Sequence, residues 1–263
     1  MSYLELSIRE IHEAIISGKV TPLELAQEAI AKAKADKNNA FEYICEKEAL
    51  EAVQNLDESK KNNLLWGIPF VAKDNLSTKD IPTCGSSNIL NGYVPSFNAT
   101  VIQKLIDKKA ILIAKSTLDE LSMGGTGTTG HLGKTFNPYD KTHTRQVGGS
   151  SSGSASVVSS GIVPFALGSD TGDSIRKPAS YTGLVGFKGT WSRISRYGML
   201  PFAPSLDHVG YFTRNVFDSA LLLNTLAGRD DKDLTSSNME VKDYSAHIFD
   251  GVKGMKFVVI KEI

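Results

Sequence analysis

Residues 162–176 read Ile162-Val163-Pro164-Phe165-Ala166-Leu167-Gly168-Ser169-Asp170-Thr171-Gly172-Asp173-Ser174-Ile175-Arg176. The uncharged apolar run Ile162–Leu167 is the pattern of a strand buried on both faces. The small polar turn behind it opens a short helix with Ser174 at its start. The same alternation recurs on either side. Phe41–Cys45, Gly67–Ala72, Ile111–Ala114, Leu184–Phe187 and Lys256–Ile260 read as strands, and Thr100–Lys109 and Phe217–Ala227 as helices. Strands alternating with helices predict an α/β fold, a sheet covered by helices on both faces, and such sheets bind ligands beyond the carboxyl ends of their strands.

Further upstream, residues 1–60 read as helical. Ser7 with Glu10 forms a capping box and Gly18 closes that helix. Thr21-Pro22-Leu23-Glu24 stacks an N-cap, a proline at the first helical position and a capping Glu. Leu25, Ala26, Ala29, Ile30 and Ala33 then make one apolar stripe, so this second helix is expected to lie on a larger body. The expected organisation is a single domain over 1–263, with a helical part (1–60) packed on a catalytic α/β part (61–263) that is incomplete at its C-terminal end.

Composition narrows the function classes. Across 263 residues, 29 basic side chains balance 29 acidic ones, which leaves no electrostatic footprint for nucleic acid or a membrane surface. Cys45 and Cys84 form no disulfide framework and have no paired C-x-x-C spacing for zinc, so a reducing, cytoplasmic setting is expected. No apolar run approaches the ~20 residues that span a bilayer, no export signal is visible, and there is no internal repeat.

Several short patterns compete for the chemistry. Gly125-Thr126-Gly127-Thr128-Thr129-Gly130 fits a dinucleotide fingerprint, but no strand runs into it. Gly133-Lys134-Thr135 has the tail of a P-loop without its leading glycine, because position 128 is Thr128. Ser174-Ile175-Arg176-Lys177 fits S-x-x-K, with Pro178 expected to stop the helix that motif needs. Gly149-Ser150-Ser151-Ser152-Gly153 fits the nucleophile elbow of α/β-hydrolases and makes Ser151 an alternative nucleophile, with His208 or His247 downstream. The polar stretch Lys141–Gln146 stands where that motif requires a buried strand. The Gly148–Ser154 run has a linker's composition, yet it leads into apolar Ala155, Val157 and Val158, which favours a loop that holds an anion or a reacting group.

A different assembly uses three strand ends together. The run Gly67–Ala72 delivers Lys73 to the sheet's carboxyl edge, the Ser-rich loop supplies Ser150, and the turn after Leu167 supplies Ser174. A serine hydroxyl needs a proton acceptor, and lysine is one only when neutral.

Val147–Ala155 followed by Ala166–Ala179 resembles the amidase signature, including the spacing of its two halves. Ser195–Asp207, Phe212-Thr213-Arg214 and Ala220–Gly228 resemble the branch of that family formed by the glutaminase subunits of tRNA-dependent amidotransferases. The resemblance implies a mixed sheet and a Ser-cisSer-Lys triad of Ser174 as nucleophile, Ser150 as bridging serine and Lys73 as base. It implies an oxyanion hole from the backbone N–H groups of Thr171, Gly172, Asp173 and Ser174. It implies glutamine as substrate and no cofactor or metal in this chain. It also implies a heterotrimer with subunits B and C, with ATP and Mg on the partner side and tRNA met mainly through those partners. The alternatives are a stand-alone amidase of another substrate and a catalytically inactive assembly module.

Three positions depart from the family pattern. Ser152 stands where Gly is usual, and Gly127-Thr128-Thr129-Gly130 replaces a Thr-Glu-Asn-Ser-like stretch. Asp173 stands where Gly precedes the nucleophile. A carboxylate about 6 Å from a developing oxyanion, at an effective dielectric of about 20, implies a repulsion of roughly 2–3 kcal/mol. Members of that branch also run to nearly twice this length, and their glutamine-recognising residues lie in the second half.

Overall fold

The computed structural model describes residues 2–261. Six strands make one sheet: β1 (Phe41–Ile44), β2 (Pro69–Lys73), β3 (Ile111–Ser116), β4 (Phe165–Asp170), β5 (Val185–Phe187) and β6 (His208–Thr213), in the order β1-β3-β2-β4-β6-β5. The central strand β2 runs parallel to β3 and β4, while β1, β6 and β5 pair antiparallel with their neighbours, so the sheet is mixed. Every residue of β2, β3 and β4 is buried. With side chains alternating between faces, this means that both faces of the sheet's centre are covered. Phe70 of β2 stacks on Phe165 of β4 at 5.5 Å between ring centres, which marks one register of that core.

Seven α-helices are present among the described residues: α1 (Ile8–Ile16), α2 (Pro22–Lys34), α3 (Glu46–Gln54), α4 (Thr100–Asp107), α5 (Ser152–Ser159), α6 (Arg176–Thr182) and α7 (Val216–Leu226). Both expected capping boxes form, and each satisfies two backbone donors at a helix start. The α2 stripe Leu25, Ala26, Ala29, Ile30 and Ala33 is wholly buried against β1–β3 and α3. α5 also packs on β2, β3 and β4, whereas α4 and α7 pack together with contacts to β3, β5 and β6. The N-terminal segment is fastened by Arg214, just past β6, whose guanidinium donates to the carbonyls of Leu4, Leu6, Val158 and Val163. No helix among the described residues is long and apolar enough to cross a membrane.

Five expectations need correction. β4 begins at Phe165 rather than Ile162, because Pro164 has no N–H to give a ladder. The strand β6 was not foreseen, and neither was α5, which starts inside the Gly/Ser run. Residues 256–260 are exposed and unpaired rather than a strand, since no neighbouring strand meets them among the described residues. Pro178 does not stop a helix: it lies in the first turn of α6, where its missing N–H has no partner to lose.

Candidate active site

Lys73 is the last residue of β2, and the parallel strands on both sides bury it completely. Its Nζ lies 2.7 Å from Ser150 Oγ and 2.8 Å from Ser169 Oγ, with no carboxylate in contact among the described residues. Lys115 makes the contrast: equally buried on β3, it has Asp74 Oδ1 at 3.0 Å to compensate its charge. Burial without such a partner pushes Lys73 down to about 7, against the opposing fields of Asp119, Asp170 and Asp207. Burial thus brings the neutral form of Lys73, the state in which an amine accepts a proton, within reach near pH 7. Asn75 Nδ2 donates to Ser169 Oγ and to Ser122 Oγ, which fixes the hydroxyl beside Lys73.

The Ser-rich run is neither linker nor loose loop. Ser150, Ser151, Ser152 and Ser154 are all buried, and the Gly149–Ser150 peptide bond is cis. Each remaining hydroxyl of the run has its own acceptor: Ser154 donates to Leu167 O, Ser152 to Thr135 Oγ1, and Ser151 to Ser169 O. Ser152 is thus accommodated where a glycine was expected. Beneath Ser150 sits Asp119, whose N–H donates to Ser150 O and whose carboxylate accepts from the backbone N–H groups of Thr126, Gly127, Thr128 and Thr129 and from Thr129 Oγ1. The dinucleotide-like loop therefore wraps an internal carboxylate. The amides that a phosphate would need are already taken.

Ser174 lies behind the β4 turn, nearly buried, and its carbonyl accepts from Ser151 N–H at 3.2 Å. Its hydroxyl has no hydrogen-bond partner among the described residues. The N–H groups of Thr171, Gly172, Asp173 and Ser174 likewise have no acceptor among those residues. The turn is held from both ends. Asp170 accepts from the N–H groups of Ile175 and Arg176 and from the Arg176 guanidinium, and although burial raises its pKa these donors leave it below the usual carboxylate range. Asp207 accepts from Thr171 Oγ1 and from the N–H groups of Phe202 and Ala203, which draws the Ser195–Asp207 segment onto the site. Leu200 N–H donates to Asn75 O, joining that segment to the residues after Lys73.

The structure thus brings Lys73 and Ser150 into hydrogen-bonding distance and sets Ser174 against the neighbouring Ser151. It does not support Ser151 as a nucleophile, because Ser151 Oγ is bonded to the Ser169 backbone and no histidine touches it among the described residues. His208 opens β6 and bonds to Leu206 O, and His247 is exposed and paired with Asp250. Asp173 also differs from expectation. Its carboxylate pairs with Lys177 Nζ at 2.8 Å, and its backbone does not adopt a positive φ, so glycine's freedom is not required there. Sequence reasoning missed Ser169, Asn75 and Asp119. Ser169 stood within the quoted 162–176 stretch, Asn75 follows Lys73 by two residues, and Asp119 had only the donor-rich Thr126–Thr129 stretch to signal it.

Comparison with known proteins agrees on one family. The family model described as Amidase matches residues 24–263. The chain is 44% identical, over its whole length and 54% of the relative's, to the A-type component of the glutamyl-tRNA(Gln) amidotransferase of Pediococcus pentosaceus. Among solved structures, the corresponding glutamyl-tRNA(Gln) amidotransferase component of Thermotoga maritima superposes with a TM-score of 0.86 at 37% identity, over 97% of this chain and 54% of that one. The peptide amidase of Stenotrophomonas maltophilia superposes at 0.85 and 30%, over 93% and 53%. The chain spans about half the length of the curated relatives it matches.

Proposed function

The chain belongs to the amidase family, and from that premise we propose that it is the amide-hydrolysing part of a tRNA-dependent amidotransferase, releasing ammonia from glutamine. The observation that carries this reading is the buried, uncompensated Lys73 at 2.7 Å from Ser150 Oγ, beside the turn that bears Ser174. Ser174 Oγ attacks the side-chain carbonyl carbon of glutamine. Its proton passes to Ser150 Oγ while the Ser150 proton passes to Lys73 Nζ. The oxyanion is received by the free N–H groups of Thr171–Ser174, where each donor is worth about 3–4 kcal/mol in related chemistry. Collapse breaks the C–N bond, and ammonia leaves with the proton returned from Lys73 through Ser150. Water then hydrolyses the glutamyl ester by the same relay and restores Ser174. None of these steps calls on a metal or cofactor.

In this reading the ammonia is consumed by partner subunits B and C of a cytoplasmic heterotrimer, with ATP, Mg and tRNA bound on the partner side. The 44% identity to a glutamyl-tRNA(Gln) amidotransferase component supports that assignment, and the likeness to a peptide amidase supports amide hydrolysis whatever the amide. A fluorophosphonate probe tests the nucleophile. Labelling is expected at Ser174, abolished by Ser174→Ala and largely kept by Ser151→Ala. Labelling at Ser151, or none that depends on Ser174, refutes the assignment.

A further inference from the structure

Next to Asp74, which accepts from the Cys84 N–H, three chain segments bring Glu42, Cys84 and His131 together. Cys84 Sγ lies 3.6 Å from Glu42 Oε2 and 3.9 Å from His131 Nε2, and these last two atoms are 2.8 Å apart. A tetrahedral zinc with bonds of about 2.3 Å to sulfur and 2.0–2.1 Å to nitrogen and oxygen requires ligand edges of roughly 3.3–3.6 Å. Each observed edge is within about 0.5 Å of that figure, so small side-chain rotations complete the geometry.

The surroundings also supply what a ligand set needs. His131 has an oxygen acceptor at each ring nitrogen, Asn88 Oδ1 at 2.9 Å from Nδ1 and Glu42 Oε2 at Nε2. An Nδ1–H given to Asn88 leaves the Nε2 lone pair facing a carboxylate oxygen, a contact that a cation between the two turns from repulsion into ligation. Glu42 Oε1 accepts from Ser86 Oγ, which orients the carboxylate so that Oε2 points at the cluster. Both outer partners that a zinc site needs are thus in place. A cavity of about 160 Å³ lined by Glu42, Cys84, Asn91, Tyr93 and His131 leaves room for a water as fourth ligand. A Cys84 nucleophile is the poorer reading, because the Glu42 carboxylate beside the sulfur opposes a thiolate unless a cation neutralises both.

We propose that Glu42, Cys84 and His131 bind one divalent cation of the zinc class, with the fourth position open to water. The ligands come from β1, from the loop after β2 and from the loop after Asp119, so the ion cross-links segments 42 and 47 residues apart. It also braces the site already described, because the N–H groups of Cys84 and Gly85 both donate to Asp74 Oδ2, next to Lys73.

The test uses the untagged chain stripped with EDTA, titrated with zinc chloride by calorimetry and with cobalt chloride by absorption. One equivalent should bind. Cobalt should give a thiolate-to-metal charge-transfer band assignable to Cys84, since the only other cysteine, Cys45, is fully buried elsewhere in the core. Cys84→Ser should remove the band, and Glu42→Gln and His131→Ala should each weaken zinc binding at least about 10-fold. Zinc should raise the melting temperature of the parent and not of Cys84→Ser. Absence of the band in the parent, which needs no variant to fold, overturns the proposal. So does a band that survives Cys84→Ser, or zinc affinity unchanged by His131→Ala.

Discussion

Asp173 Oδ2 lies 2.8 Å from Lys177 Nζ, four residues further on, so the carboxylate that precedes Ser174 is neutralised by the first turn of α6. The pair is partly exposed, which screens its field further. Asp173→Gly is therefore expected to change the rate of Ser174 labelling by less than about 3-fold. Lys177→Ala, which leaves the carboxylate unpaired beside the proposed oxyanion position, should slow labelling by about 3–10-fold, and adding Asp173→Gly to it should restore the rate. Labelling kinetics on the four proteins check this, and a slow Asp173→Gly single variant would show that the carboxylate supports the site.

Lys73 makes a stability prediction with a definite sign. Its folded-state pKa of about 7 lies below the unfolded value of 10.5, so above pH 7 the unfolded chain binds the extra proton and stability rises with pH up to about 10.5. Below pH 7 both states carry the charge and the net cost of burying it is constant, of order 4–5 kcal/mol. Lys73→Met should therefore stabilise the fold at pH 6–7 and lose most of that advantage by pH 10. Urea melts at the two pH values read the difference, and an advantage independent of pH would mean that Lys73 does not titrate in the fold.

Asp119 holds Lys73 up electrostatically and the Thr126–Thr129 amides mechanically. Asp119→Asn should shift the midpoint of the pH–labelling profile to lower pH, because no carboxylate at that position then stabilises the charged amine. It should also cost about 2–4 kcal/mol through donors left unpaired. A midpoint that moves upward contradicts the placement of Asp119 in the field of Lys73.

Gly149 cannot carry a side chain. A Cβ there overlaps Asp119 Oδ2 and presses on the Gly127 and Thr126 nitrogens, which are backbone and cannot yield. Gly149→Ala should destabilise by about 3 kcal/mol or more and abolish labelling, whereas Ser151→Ala should cost only about 1–2 kcal/mol, the worth of its bonds to the Ser169 backbone. Chemical denaturation of both variants separates the two effects.

Reading strands from apolar runs located β3 and β4 from the uncharged runs Ile111–Ala114 and Ile162–Leu167, although β4 begins only at Phe165. It failed at His208–Thr213, where His208, Gly210 and Thr213 dilute the pattern although Val209, Tyr211 and Phe212 are buried. It failed in the opposite sense at 256–260, because an apolar run is a strand only when another strand accepts its hydrogen bonds. α5 was hidden by composition, since serines read as loop until buried acceptors such as Leu167 O claim their hydroxyls. Lys73 and Ser150 were legible because sheet ends and a long motif both pointed to them. Asp119, Ser169 and Asn75 act through hydrogen bonds across 7 to 96 residues, for which sequence spacing carries no signal.

The strand order has a consequence for how the chain comes to exist at all. β2 at the middle of the sheet must wait for β4, its parallel neighbour, which begins at Phe165. At translation rates of about 5–20 residues per second, Lys73 is synthesised roughly 5–20 s before the strand that encloses it. Over that interval Phe70, Val71 and Ala72 have at least one open edge, two until β3 is made, and no cover from α5, and long-range parallel pairing is itself slow once both strands are available. Nascent chains of this protein are therefore expected to need shielding by a chaperone for seconds rather than milliseconds, and the same strand that carries the lysine is the segment most exposed to mispairing before the fold closes.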